Sequence, residues 1–432
     1  MLAAEDRKYF AESDLQRDVA GRYGTHVGMV MWEPGYRNYE KYLSGDEVPE
    51  ALQPEAWLQY ETGRYGCHGC PVKCKDQYRI PSGRRAGEKG QAMEYECIFC
   101  LGTNCGVTDP IAIMEMENLC DAYGMDVIAL GNTIAMVKDL YNRGIMTSKD
   151  TDGLDLSWED ADAQVELIHC TALRQGFGSM VAEGMYTLAR RLGDEAMDYC
   201  YHVKGLSRGP YPSGLFALAH ATSTRGADHL RGRSWAYGEN DPDIFPKLGE
   251  QGYLPGDVDT NPVAALILGE RMTTLTDCIG RCKGAVNSWI CAMPLVWKHP
   301  IYDGLAKLLN TATGMDYTGE ELARVADRVY AMEHAFNIRM GVTRKDDRMP
   351  QKPEIRDTPE GREDLKRHHA MVARYYEARG YDPESGRPTS ERLADLNLKY
   401  VDRLLNESGP VGQWDGPTRW DMSKYPSGGV RA

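Results

Sequence analysis

Apolar residues recur every three to four positions over PIAIMEMENLCDAYGMDVIALGNTIAMVKDLYNRGIM, residues 110–146. That period predicts amphipathic helix, and Gly124 in its middle divides the stretch into two. WEDADAQVELIHCTALRQG (158–176) opens on acids and closes on glycine, the charge order that suits a helix dipole. ADRVYAMEHAFNIRMG (326–341) and REDLKRHHAMVARYYEARG (362–380) carry the same pattern. Strand-like alternation is short and scattered. YRIPSGRRAGEKGQ (78–91) is polar and glycine-rich and reads as an exposed loop. Near residue 199 the helical pattern gives way to Gly- and Pro-rich sequence. The expectation is a mainly α protein of two helical domains, residues 1–198 and 199–432.

A chain of 432 residues can bury a sizeable core. Its net charge of −14 argues against general affinity for nucleic acid or an anionic membrane. No apolar run approaches the roughly 20 residues that span a bilayer. MLAAEDRKYF lacks the apolar centre of a secretory signal, so a cytoplasmic location is the expectation. In that setting the twelve cysteines read as thiols or metal ligands rather than disulfides.

Three of them, Cys67, Cys70 and Cys74, form C-x2-C-x3-C within GCHGCPVKCKD. Thiolates are soft anionic ligands, and iron–sulfur clusters take them in fours. Gly66, Gly69 and Pro71 suit a tight loop around an inorganic object. Zinc is the rival, because His68 lies inside the array, and a purely structural role is the third reading. The fourth ligand lies elsewhere: Cys97, Cys100, Cys105, Cys120, Cys278, Cys282 and Cys291 are all candidates, and spacing alone does not choose.

A second pattern occurs twice. DAYGMD (121–126) and DCIGRC (277–282) share Asp-x-x-Gly-x-(Asp/Cys), an acid, a glycine free in its backbone angles, then a second polar or soft group. With these elements the chain resembles the tungsten-dependent aldehyde ferredoxin oxidoreductase family. AMEYECIFCLGTNCGV (92–107), GFGSMVAEG (176–184), HVKGL (202–206), ALAHATSTRGADHLR (217–231), TRKDDRMP (343–350) and YYEARGYDPESGRPTSERLADLNL (375–398) extend the resemblance over nearly the whole sequence.

The resemblance implies a tungsten (or molybdenum) bis-pterin held through Asp121, Asp126, Asp277 and Arg225. It implies a [4Fe–4S] cluster on Cys67, Cys70, Cys74 and, from the second element, Cys282. It makes Glu96 and His229 the catalytic acid–base pair near the metal. The implied reaction oxidises an aldehyde to a carboxylate and passes electrons through the cluster to a ferredoxin-like acceptor or iron–sulfur subunit. Three departures stand out. The family's N-terminal β-rich domain is absent, so the expectation is that a separate polypeptide supplies it, the alternative being that the chain is a fragment. Asn118 stands where the family's E-x-x-H would place an iron-binding histidine after Glu115, so no such iron is expected. GPYPSGL (209–215) replaces an arginine-containing segment. Cys97 occupies a position where threonine is common and is a candidate tungsten ligand, as in related benzoyl-CoA reductase subunits; Cys120 has a weaker claim. The competing functions are therefore an aryl-CoA reductase subunit and an iron–sulfur electron-transfer subunit without its own metallopterin.

Overall fold

The computed structural model describes residues 15–209, 215–232, 262–283 and 301–407. Its longer helices are α1 (Pro110–Tyr123), α2 (Val127–Asn142), α3 (Ala161–Ala172), α4 (Met185–Leu192), α5 (Leu215–Thr222), α6 (Pro262–Ile279), α7 (Ile301–Thr313), α8 (Gly319–Arg339), α9 (Pro359–Arg379), α10 (Ser390–Asp395) and α11 (Lys399–Glu407). The helices expected at 110–146, 158–176, 326–341 and 362–380 are all present. No single helix among the described residues is long and apolar enough to cross a membrane.

The start signals are physical. Asp109 accepts from Ile111 N at 2.9 Å and Pro110 fills the first helical position, which needs no donor. Thr318 and Glu321 form a reciprocal capping box at the head of α8.

The 78–91 segment is not a free loop. Its ends belong to an antiparallel sheet of β1 (Glu61–Tyr65), β2 (Lys75–Arg79) and β3 (Lys89–Gln91), in which β2 is central. Alternation buries Tyr78 and Ile80 on one side and exposes Gln77 and Arg79 on the other. The β2–β3 turn hid this hairpin because its charged residues mask the two buried ones.

Apolar burial falls into separate clusters. One runs from Met29 to Tyr201 and includes Tyr95, Phe99, Ile113, Met116, Ile134 and Val137. Another joins Leu218, Leu266, Val372, Tyr375 and Tyr376, and a third joins Ala331, Leu393, Leu396 and Val401. Around the last two lies a buried ionic network. Glu270, 1% exposed, accepts from Tyr330 and Tyr375 hydroxyls at 2.9 Å each and from Arg379. Arg379 also meets Asp327 at 3.0 Å, and Asp327 is bound by Arg271 at 2.7 Å and Arg392 at 2.9 Å. Every charge in it has a partner, the condition under which buried ions are tolerated.

The segment before α9 reaches back to the first cluster. Lys352 Nζ lies 2.7 Å from Asp139 Oδ2 on α2, and the two residues are 2% and 3% exposed. Asn38 donates to the same carboxylate at 3.0 Å and Arg143 at 2.7 Å.

Candidate functional site

The two Asp-x-x-Gly elements fold alike. Each supplies the last turn of a helix and a left-handed glycine that stops it. In the first, Gly124 has φ 67°, with Gly124 N donating to Asp121 O at 3.1 Å and Met125 N to Cys120 O at 2.9 Å. In the second, Gly280 has φ 68°, with Gly280 N donating to Asp277 O at 3.4 Å and Arg281 N to Thr276 O at 2.9 Å. This double bond back into the last turn is the Schellman stop. Nothing lies within 4 Å of a Cβ built at either glycine, so the backbone angle, not close approach, requires it.

The shared geometry makes Asp126 and Cys282 equivalent positions. Asp126 caps α2, accepting from Ala129 N at 2.6 Å. Asp121 and Asp277 sit exposed at helix C-termini, where the macrodipole disfavours a carboxylate. Asp277 is compensated by Arg231 and Lys283, each at 2.9 Å. Arg231 also pairs with Glu333 of α8. No ion pair holds Asp121 among the described residues.

The cysteine array is the nine-residue loop between β1 and β2, closed by the Tyr65–Lys75 pair. Cys70 N donates to Cys67 O at 2.9 Å, and Gly69 (φ 72°) and Lys73 (φ 51°) turn the chain. A Cβ at Gly66 would lie 3.1 Å from Lys73 Cα, so any larger residue there would push the loop's two sides apart by a few tenths of an ångström. Burial pushes the Cys74 thiol up, and the neighbouring sulfurs that add to this are Cys282, Cys70 and Cys67. Cys278 is exposed, and its charged neighbours are Asp277, Arg231 and Glu333. Cys97, Cys100, Cys105 and Cys120 are buried, with Cys105 bound to Cys100 O at 3.1 Å; Cys291 lies outside the described residues. No three His, Cys, Asp or Glu side chains among the described residues close on a point suited to one ion.

Glu96 and His229 come together, with Nε2 3.7 Å from Oε1. Glu96 lies on the single-turn helix Tyr95–Cys97, whose start is set by Thr25 accepting from Tyr95 N at 2.8 Å and donating to Glu94. His229 opens a 3-10 turn capped by Asp228, which accepts from Leu230 N at 2.7 Å. Arg225 is turned onto Asp228 at 2.9 Å and is largely exposed.

Two residues escaped the sequence reading. A Cβ at Gly209 would lie 3.1 Å from His229 Nδ1 and 3.9 Å from His220 Cε1, so both imidazoles line the same backbone. Burial, then the Arg208 charge, lowers His220 to about 3 and keeps it neutral. Arg208 is 4% exposed and lies over the rings of Tyr39 and Tyr201 at 5.4 and 6.0 Å. The signal for His220 was present in ALAHATSTRGADHLR, nine residues before His229.

The Cys97 thiol is 7% exposed and pushed up by burial and by the neighbouring Glu117. Burial, then the charges of Asp121 and Asp76, raises Glu117 to about 7. Glu115 is taken by Arg84 at 3.3 Å, and Asn118 accepts from the Tyr78 hydroxyl at 2.9 Å.

Residues 1–398 match the family described as aldehyde ferredoxin oxidoreductase, domains 2 and 3. The tungsten-containing aldehyde ferredoxin oxidoreductase of Pyrococcus furiosus is 30% identical over 393 residues, 87% of this chain and 60% of that protein. That of Pyrococcus horikoshii is 30% identical over 408 residues, 89% and 62% of the two chains. The WOR-like subunit of aliphatic sulfonate oxidoreductase from P. furiosus is 26% identical over 423 residues, 92% and 60% of the two. Among solved structures, the active-site complex BamBC of benzoyl coenzyme A reductase with 1,5-dienoyl-CoA matches with TM-score 0.72 at 21% identity, covering 94% of this chain and 66% of that one. That likeness shows a shared fold. The chain spans about 60% of the length of the curated relatives it matches. With its match running from residue 1 to residue 398, the chain belongs to the family of the second and third domains of aldehyde ferredoxin oxidoreductase.

Proposed function

We propose that the chain is the catalytic part of a tungsten–pterin oxidoreductase that oxidises an aldehyde to a carboxylate and delivers the electrons through a [4Fe–4S] cluster to a ferredoxin-like acceptor. The observation that supports this reading is the common helix-stop geometry of the two Asp-x-x-Gly elements, the second ending on Cys282, which with Cys70 and Cys67 is among the sulfurs that raise the Cys74 thiol. When bound, the metallopterin supplies the two-electron redox chemistry.

The remaining roles fall to side chains. Asp121 and Asp277 offer exposed carboxylates to the amine and amide donors of a pterin, and Asp126 keeps one oxygen beyond its cap. Arg231 and Lys283 fix Asp277 in place. Glu96 accepts a proton from the water that attacks the substrate carbonyl. His229, held by the Asp228-capped turn, donates to the carbonyl oxygen. Neutral His220 lies beside His229 against Gly209, with the buried Arg208 charge close enough to lower it. An aryl-CoA reductase reading would put the buried Cys97 on the metal.

The test is metal content. The protein is purified anaerobically from its native host with whatever chains copurify, and W, Mo and Fe are measured per chain by mass spectrometry. The expected result is about one tungsten and about four irons. Iron with neither tungsten nor molybdenum overturns the catalytic reading and leaves an electron-transfer subunit.

A further inference from the structure

Within residues 61–91 there are seven Lys and Arg against three Asp and Glu, in a chain of net charge −14. Arg64, Lys75, Arg84 and Arg85 are ion-paired, which leaves the excess on Lys73, Arg79 and Lys89. Arg79 on β2 and Lys89 on β3 are direct cross-strand partners, and both side chains are exposed. Like charges directly opposite each other destabilise a sheet. No acid among the described residues pairs with either one; Arg79 donates to Gly87 O at 3.3 Å. Gln77 and Gln91 continue the same face, and Gly63 opposite Gln77 leaves it flat. Beside it opens a cleft of about 670 Å³ that also takes in Arg85, Thr62 and two acids, Glu88 and Asp121, so the basic surface is the outer strand face and not the cleft.

This face runs directly from the cysteine array. Lys75, the first residue of β2, follows Cys74, and Lys73 is exposed within the array itself. At the strand rise of about 3.3 Å per residue, Arg79 lies within roughly 17 Å of Cys74 along the chain. A partner covering a standard patch of about 800 Å² would touch Arg79, Lys89 and Lys73 together and lie against exposed Cys67.

We propose that the outer face of the β1–β2–β3 sheet, centred on Arg79 and Lys89, is the docking surface for an acidic iron–sulfur electron carrier. The cluster that Cys67, Cys70, Cys74 and Cys282 would hold passes one electron at a time to a cluster of the docked carrier, so two such transfers serve each two-electron oxidation. The proposal rests on the function proposed above. Charge selects the occupant: a small acidic protein meets the local cations, whereas a long polyanion such as RNA would also meet the negative remainder of the molecule.

The experiment uses the holoprotein as isolated, with its copurifying chains, immobilised anaerobically. The probe is a purified two-cluster ferredoxin of acidic surface, bound at low and at high ionic strength. Arg79→Glu/Lys89→Glu is expected to weaken binding at low salt about tenfold or more and to flatten the salt dependence. Arg79→Glu alone sets opposite charges across the strand pair, so its loss of binding is not a loss of the sheet. Lys366→Glu/Arg367→Glu, on α9, is the charge control and is expected to bind normally. Ferredoxin affinity retained in both Arg79 variants overturns the proposal, as does an equal loss in the α9 control or tighter binding of poly(U) than of ferredoxin. Failure of the underlying function is read separately, from tungsten content and aldehyde oxidation with a viologen dye; dye-linked turnover is expected to survive Arg79→Glu.

Discussion

His229 Nε2 lies 3.7 Å from Glu96 Oε1, joining a buried 3-10 turn to a one-turn helix from a distant part of the chain. Such a pair can divide proton work between water and substrate oxygen. Glu96→Gln and His229→Asn are each expected to lower kcat by about 10²- to 10⁴-fold. Iron and tungsten content should stay at the wild-type level. Stopped assays with metal analysis on the same samples check both; metal loss in either variant would assign that residue to cofactor retention.

Cys278 and Cys282 stand on either side of one helix stop. Cys282→Ser is expected to lose cluster iron, whereas Cys278→Ser keeps it, because only Cys282 is among the sulfurs around Cys74. Iron per chain and the low-temperature electron paramagnetic resonance of the reduced protein decide the matter. The reverse outcome would move the fourth ligand to Cys278.

Gly124 and Gly280 have open space around a built Cβ but left-handed backbones. Replacement by alanine should therefore cost only the conformational term, about 1 kcal/mol at each. Urea unfolding measures it. A much larger loss would mean that the helix ends rearrange.

Removing Arg379 strands the Glu270 carboxylate in a fully buried site. Arg379→Met is expected to destabilise by about 3–5 kcal/mol, while Arg379→Met with Glu270→Met recovers much of that. Denaturant midpoints of the single and double variants test the pair.

His202, His334 and His368 are lowered by burial to about 3, 4 and 4. The unfolded chain binds these protons first, near the ordinary value of 6.5, so their contribution is fully present above that pH. It is lost as pH falls from about 6.5 toward 4. His334→Gln, which can still donate to Gly386 O, should shallow that acid decline. Urea midpoints across this range show it; an unchanged slope would count against a neutral buried His334.

Much of this was legible in sequence because it is local. Helix periodicity, capping acids and stop glycines act within a few residues, and α1, α2, α3, α8 and α9 fell where those signals put them. The cysteine loop was likewise readable from Gly66 and Gly69. The β2–β3 hairpin was missed because two buried residues, Tyr78 and Ile80, are too few to set a period against eight charged and glycine neighbours. His220 and Arg208 were missed because their surroundings are made by long-range contacts with Gly209, Tyr39 and Tyr201. The Glu270–Arg379–Asp327 network is invisible for the same reason: each acid reads as a surface residue until its distant arginine is known.

Lys352 offers a different kind of consequence. Its ammonium is sealed against Asp139, so separating the two parts of the chain strips the buried Lys352 of its counter-ion and leaves Asp139 with only Asn38 and Arg143. Such a lock makes partial melting unattractive. Heating should then give one calorimetric peak whose van't Hoff and measured enthalpies agree, and Lys352→Met should split it.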